Sequence, residues 1–385
     1  MQLFSSGLTF SLIMAMTTSS NDVVESHVQL NKQIQQIRDA NHVPALAVLL
    51  VQDDEIQDSA AVGIRKYGKP TPITTTDKFH LGSDTKAMTA TLVAMFVDEG
   101  KLSWMSTLGE LLPEITSMNE AYKGVTIEML LAHRSGLTGD LINFKGGSLW
   151  RKLQSSKLSP VDGRKLLAQE MLSQMPASWP SSKFEYSNAG YTVLGRILEK
   201  LSGESWEKLI EQRLFTPLHM RSCGLGAPGR PHAKSPDQPW AHLQTTRGIQ
   251  AVLTDNPETI GPAGTVHCSM QDWSKFVNLH LQAFNGKPRL LKAESFVKLH
   301  TNYPGQDYTY GAWIRTERPW ANGPAFTHDG SNNFNYASVW WAPKMNLIMI
   351  AVSNIGAPSG QKAAQEAIVP LLNLAKGNLY GNQRR

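Results

Sequence analysis

An α+β fold, with an antiparallel sheet built from both chain ends around an inserted helical block, follows from three observations on these 385 residues. Two strand-like runs separated by a polar turn stand near the start. A helix with no polar face comes next. Helical patterns then prevail to about residue 240, after which strand patterns return before a last helix.

The elements follow in order. Residues 22–40 form a polar amphipathic helix, with Val24, Val28, Leu30, Ile34 and Ile37 at helical spacing. Residues 44–51 (PALAVLLV) are a nearly continuous apolar run, short enough for a buried strand. Asp53-Asp54-Glu55 break it, and residues 56–64 supply a second strand, hence a hairpin at a sheet edge. After Phe79-His80-Leu81-Gly82-Ser83-Asp84-Thr85-Lys86, the residues Ala87, Met88, Ala90, Leu92, Val93, Met95, Phe96 and Val97 make a helix apolar all round, stopped by Gly100. Such a helix must be buried. Ser83 stands at its expected N-cap, and Asp84 at its first position.

Thr126 caps a short helix through His133, and residues 160–172 form another. Asn188 caps a helix over 189–201 that ends at Gly203, and Ser205 opens one that ends near Pro217. Residues 226–243 read as a Gly- and Pro-rich loop of the kind that lines functional sites. Gly261-Pro262-Ala263-Gly264 is a tight turn, and residues 270–284 are an amphipathic helix. Residues 308–314, 325–327, 336–341 and 347–352 read as strands, and 361–375 as the closing helix. The expected division is a discontinuous sheet domain (22–100 and 244–378) with an inserted helical domain (101–243).

Composition narrows the function classes. The net charge is +5, but the basic residues are scattered, with no Lys/Arg-rich cluster, so a nucleic acid partner is not expected. No apolar run reaches the ~18 residues of a membrane-spanning helix. Residues 1–21 carry no charged side chain, and residues 8–16 match the length of a signal-peptide core. The expectation is a periplasmic or secreted protein, or a cytoplasmic one if that run is not a signal. Cys223 and Cys268 lack C-x-x-C spacing. They read as two free thiols, with a single disulfide as the alternative. No phosphate-cradling loop, H-E-x-x-H or EF-hand is present, so neither a metal nor an organic cofactor is implied.

The chemistry concentrates at Ser83 and Lys86. S-x-x-K recurs at Ser205/Lys208, Ser295/Lys298 and Ser359/Lys362, but those pairs open helices with wet faces, where lysine is solvated. Only Ser83 opens a buried helix, with Lys86 one turn on along the same face. Burial and the positive end of the helix dipole both disfavour an ammonium there, which turns the lysine into a base for the serine. The Ser83 N–H is an orphan helix donor, suited to one arm of an oxyanion hole.

Two further motifs follow in order: Tyr186-Ser187-Asn188 and His328-Asp329-Gly330. With Ser83-Asp84-Thr85-Lys86, this succession of S-x-x-K, Y-x-N and H-x-G resembles the serine β-lactamase and penicillin-binding protein superfamily. It is most similar to the class C β-lactamase-like branch, with its family VIII-type carboxylesterases, D-aminopeptidases and DD-peptidases. The wide spacings between positions 83, 186 and 328 suit that branch. Tyr380-Gly381-Asn382 and His80-Leu81-Gly82 repeat two of the motifs but break the order. Residues 130–137, the 261–264 turn and residues 345–354 add to the likeness.

The resemblance implies a β-lactamase/transpeptidase-like fold and an acyl-enzyme on Ser83. Lys86 and Tyr186 would share proton transfer, Tyr186 as a phenolate held by cations such as Lys86. Asn188 would bond Lys86 and the substrate's acyl group. Gly330 would let its strand approach substrate closely, and the Ser331 N–H would be the second oxyanion donor. His328 stands where many β-lactamases carry lysine, and a histidine of ordinary pKa ~6.5 is mostly neutral at pH 7. The implied substrate is a small ester, β-lactam or D-amino-acid amide, with a broad esterase or β-lactamase-like hydrolase placed before a D-specific peptidase. A non-catalytic binding or assembly protein on the same fold is the rival of another class. His133 reads as a structural helix end rather than a triad member, and no G-x-S-x-G elbow is present. Trp150, Trp179, Trp240 and Trp320 read as packing residues that could also wall a pocket.

Overall fold

The computed structural model describes residues 20–383 apart from 156 and 233. The apolar run 8–16, and with it the export signal expected there, lies outside the described residues. The strands are β1 (Ala45–Gln52), β2 (Glu55–Gly63), β3 (Lys78–His80), β4 (Gly224–Leu225), β5 (Ala241–Thr245), β6 (Gly248–Val252), β7 (Val266–Ser269), β8 (Ile314–Arg318), β9 (Gly323–Ser331), β10 (Tyr336–Ala342) and β11 (Leu347–Ser353). Six of them form one antiparallel sheet in the order β2-β1-β11-β10-β9-β8.

Both faces of this sheet are covered, which is why β1 reads as a continuous apolar run instead of an alternating one. Every residue of β1 is buried. Leu46, Val48 and Leu50 pack with Ile34 of the helix Ser20–Ala40 and with Ala363, Ala367 and Leu371 of the helix Ser359–Gln383. Ala47 and Leu49 point the other way, into the larger core with Met88, Leu92 and Phe96. The β1–β2 turn places Asp53 and Asp54 both at positive φ, 55° and 67°, as a two-residue hairpin of right-handed twist requires. Among the described residues no helix is long and apolar enough to cross a membrane.

The central helix runs Thr85–Asp98 and ends at Glu99, with Gly100 at φ 69°. Its residues from Thr85 to Phe96 are all buried. A single 3-10 turn, Gly82–Asp84, leads into it. Ser83 is therefore not the N-cap. Asp84 holds that place, and it makes no side-chain cap bond. A one-residue shift likewise affects the helix Asn188–Ser202: its cap is Ser187, whose hydroxyl accepts from the Gly190 N–H. Helices Pro160–Leu172 and Met270–Phe284 match the sequence reading at both ends.

Two readings are corrected. Residues 308–314 are bridged turns rather than a strand, with Ala312 at φ 61°, and β8 begins only at Ile314. Cys223 and Cys268 are joined in a disulfide, not free. Nothing in their spacing reveals this. Pairing of β4 with β7, which sets Gly224 opposite His267, brings them together.

β9 is longer than its apolar core, because His328, Asp329 and Gly330 extend it. Its residues 323–327 pair with β8, whereas 328–331 pair only with β10. The face of β9 that carries His328 and Gly330 packs on the Gly82–Asp84 turn. A Cβ on Gly330 would lie 1.9 Å from the Leu81 carbonyl oxygen and 2.9 Å from the Asp84 N, so only glycine allows this approach.

Behind the central helix, Arg164 is fully buried. Its Nη2 lies 2.5 Å from Glu199 Oε1 and 2.8 Å from Glu207 Oε2, binding three helical segments through one guanidinium. Its Nη1 reaches the carbonyls of Glu258 and Thr259, just before the 261–264 segment. Removing one side of such a cluster strands the other charge in low dielectric. Arg164→Met should therefore lower the unfolding free energy by about 3–5 kcal/mol, read from urea denaturation. Gly330→Ala should also shift the urea midpoint down, because neither the Leu81 carbonyl nor Asp84 can retreat without moving the turn.

Candidate active site

Lys86 is the centre of the site. It is fully buried on the central helix. Its Nζ lies 3.0 Å from Ser83 Oγ, 2.8 Å from Asn188 Oδ1 and 2.7 Å from the Ala263 carbonyl oxygen. A neutral amine has two N–H donors and one lone pair, and these contacts match that inventory: N–H to Asn188 and Ala263, lone pair to the Ser83 hydroxyl. Burial lowers the lysine to about 7, with Asp84 opposing.

Asp84 is the N-cap rather than the first helical residue expected from the sequence. It is buried, and its Oδ1 stands 3.1 Å from His328 Nδ1. Burial drives Asp84 well up and His328 down to about 3, so burial favours the uncharged form of each. His328 Nε2 lies 3.2 Å from the Tyr308 hydroxyl. His328 thus has both ring nitrogens engaged by protein groups.

Tyr186 reaches Ser83, and Lys86 Nζ lies 4.7 Å from its ring centroid. Burial raises the phenol above its ordinary value, with the Ser83 hydrogen bond opposing. Burial thus favours the protonated phenol over the expected phenolate. His133 confirms its structural reading. It is at φ 57°, its ring packs 4.3 Å from that of Tyr186, and its Nδ1 accepts from the Ser187 N–H at 3.0 Å.

Asn188 bonds Lys86 as expected. Gly330 makes a close approach to Leu81 and Asp84. Ser331 borders the same cavity as Ser83 and Asn188, and its hydroxyl donates to the Asn335 carbonyl at 2.7 Å. The structure thus gathers Ser83, Lys86, Tyr186 and Asn188 in one place, with Ser331 across the cavity. The other S-x-x-K pairs make no such contact. Lys208 pairs with Glu204 and Lys362 with Glu366. Lys298 is not solvated as expected: it pairs with Glu128 over the Tyr310 ring, while Ser295 donates to Asp98.

Three participants escaped the sequence. The Ala263 carbonyl has no side-chain signature, although the 261–264 segment had been noted. Tyr308 sat inside a misread strand. Asn256, whose Nδ2 donates to the Gly264 carbonyl at 2.9 Å, stood in an unremarked loop.

Two cavities border these residues. One of about 190 Å³ is lined by Ser83, Asn188, Asn256, Ser331, Asn332 and Asp140, with Trp150 at its wall. The other, a groove of about 740 Å³, begins at Tyr186 and His328 and is walled by Phe184, Trp320, Trp340, Ile368 and Leu372. The 226–243 loop, expected to set specificity, packs elsewhere. Gln238 accepts from the Lys78 N–H, Arg65 donates to the Pro236 carbonyl, and Trp240 lies under Lys66. Trp179 is exposed.

Comparison with known proteins agrees with this arrangement. The family model described as Beta-lactamase matches residues 30–371. The chain is 26% identical to penicillin-binding protein 4 of Amycolatopsis lactamdurans over 345 residues, 86% of each chain. Its fold is similar to that of the D-amino acid amidase of Ochrobactrum anthropi SV3, with a TM-score of 0.70, 19% identity, and 91% and 99% of the two chains covered. It is similar again to D-alanine carboxypeptidase AmpC of Burkholderia cenocepacia, with a TM-score of 0.69, 20% identity, and 91% and 99% covered. The chain belongs to the Beta-lactamase family, within the serine hydrolase superfamily that includes the penicillin-binding proteins.

Proposed function

We propose that this protein hydrolyses small esters through an acyl-enzyme on Ser83, and that its preferred leaving groups are apolar and uncharged. The observation that carries the reading is the buried Lys86 amine, 3.0 Å from Ser83 Oγ and lowered to about 7. Lys86 takes the Ser83 proton as the oxygen attacks the carbonyl. The N–H groups of Ser83 and Ser331 bind the developing oxyanion. Tyr186, which burial keeps protonated, gives its proton to the departing alkoxide as the tetrahedral species collapses. The ammonium left on Lys86 then returns its proton to Tyr186. Water repeats the sequence on the acyl-enzyme.

The leaving group departs on the side of its proton donor. Tyr186 borders the large groove, whose walls are mainly aromatic and aliphatic. His328 offers no permanent cation there, since burial lowers it to about 3, and Arg318, which also lines the groove, lies 5.5 Å from the Trp340 ring centroid. An uncharged aryl or alkyl alcohol fits this side better than the carboxylate of a β-lactam or a C-terminal D-residue. Asn188 and its neighbours place the acyl part in the smaller cavity. A second reading has a specific support: Asp140 lines that smaller cavity, and a carboxylate there suits the ammonium of an amino-acid amide. An exported setting is part of the proposal, because the Cys223–Cys268 disulfide suits an oxidising compartment.

Ser83→Ala should abolish both labelling by a fluorophosphonate and turnover of 2-naphthyl acetate, while Ser205→Ala retains both. Equal losses would refute the nucleophile assignment. Lys86→Met should lower the acylation rate by about 10²–10⁴-fold. In the parent enzyme the acylation rate should rise with pH and level off above about 7, as the amine loses its proton, and Lys86→Met should lack this limb. Nitrocefin or D-phenylalanine amide turned over faster than the naphthyl ester would displace the ester reading.

A further inference from the structure

The two proposed oxyanion donors belong to segments far apart in sequence, and one carboxylate lies between them. Asp255 stands in the loop before Pro257, with its side chain 10% exposed. Its Oδ2 is 2.9 Å from His80 Nε2, and its Oδ1 accepts from Asn332 Nδ2 at 2.8 Å. A carboxylate at Nε2 calls for the tautomer with N–H there, which leaves Nδ1 as an acceptor. Nδ1 does accept, from the Gly82 N–H at 3.0 Å. Gly82 immediately precedes Ser83. Asn332 immediately follows Ser331, and its Oδ1 accepts from the N–H groups of Phe334 and Asn335.

The two arms also touch. A Cβ on Gly82, at φ 51°, would lie 2.3 Å from the Ser331 N. Asn256 adds a third link, because its bond to the Gly264 carbonyl holds the residue after Ala263, whose own carbonyl holds Lys86. No residue of the 255–256 pair contacts Ser83 Oγ or Lys86 Nζ through a hydrogen bond.

We propose that Asp255 is a positioning residue that fixes the separation of the Ser83 and Ser331 N–H groups, with His80 and Asn332 as its two arms. This rests on the acyl-enzyme reading above. The acceptor pattern makes it specific. A carboxylate accepts at both oxygens, whereas an amide of the same shape accepts at one only. Asp255→Asn therefore sets an N–H against either His80 Nε2–H or Asn332 Nδ2. Exchanging the partners, Asp255→Asn with Asn332→Asp, restores one donor and one acceptor on that contact. Asn332→Asp alone places two carboxylates face to face.

The test is this two-residue cycle on the full-length enzyme. It reads kcat and KM for 2-naphthyl acetate, inhibition by an arylboronic acid that forms a tetrahedral serine adduct, and the thermal midpoint. Each single substitution should lower kcat by about 10–100-fold, the scale of a sub-ångström to 1 Å misplacement, with KM within about twofold. Boronate affinity should fall by a similar factor, and the exchange should recover at least tenfold of the loss in both. Where one single variant does not fold, the other and the exchange still decide. Unchanged kcat in the singles, or losses that follow the thermal midpoint and are not recovered by the exchange, would overturn the positioning role alone. A parent enzyme with neither turnover nor a boronate adduct on Ser83 would overturn the acyl-enzyme reading, and this inference with it.

Discussion

The exclusion of water from one amine sets the terms for the whole site. An ammonium at Lys86 would have to be carried into a fully buried position, and the helix would resist it. The chain keeps the lysine there by giving its nitrogen three partners and no charged one within bonding distance. Asp84 is close in sequence, and an ionised carboxylate beside the amine would restore its proton. That side chain is turned to His328, in a pocket equally dry, where burial opposes its ionisation. The same burial that makes the base also keeps the phenol of Tyr186 protonated. One physical cause thereby separates a proton acceptor from a proton donor on either side of one hydroxyl.

Much of this was legible because burial leaves a periodic trace. A helix apolar on every side is rare enough to single out Ser83 and Lys86 among four S-x-x-K pairs, and β1 announced its double coverage by the length of its apolar run. Capping residues were placed only to within one position. Serine and asparagine are both good caps, so Ser187 and Asn188 compete on equal terms until the backbone is seen. What stayed hidden has no one-dimensional signature. The Ala263 carbonyl belongs to a residue type with no chemistry of its own. The disulfide depends on strand pairing rather than on spacing. The direction of Tyr186's shift depends on how deeply the fold buries its phenol.

The strand β9 links this electrostatic arrangement to the fold. Phe326 and Thr327 are held in the sheet on both sides, whereas 328–331 keep only β10 as a partner and lay one face on the Gly82–Asp84 turn. At Gly330 that turn comes closer than any residue with a Cβ would permit. The alternation of the strand then sends His328 and Asp329 to different neighbours, one to Asp84 and Tyr308, the other to Tyr336 and Gln365.

Because β1 lies between β2 and β11, with Leu46 opposite Ser353, the sheet cannot be completed until nearly the whole polypeptide exists. Such distant pairing is slow to form, since a long loop must close before any contact rewards it. During synthesis the serine emerges early, yet the strand that must face it arrives close to the end. On the proposed reading, the Ser83 site is therefore assembled only once β9 has docked.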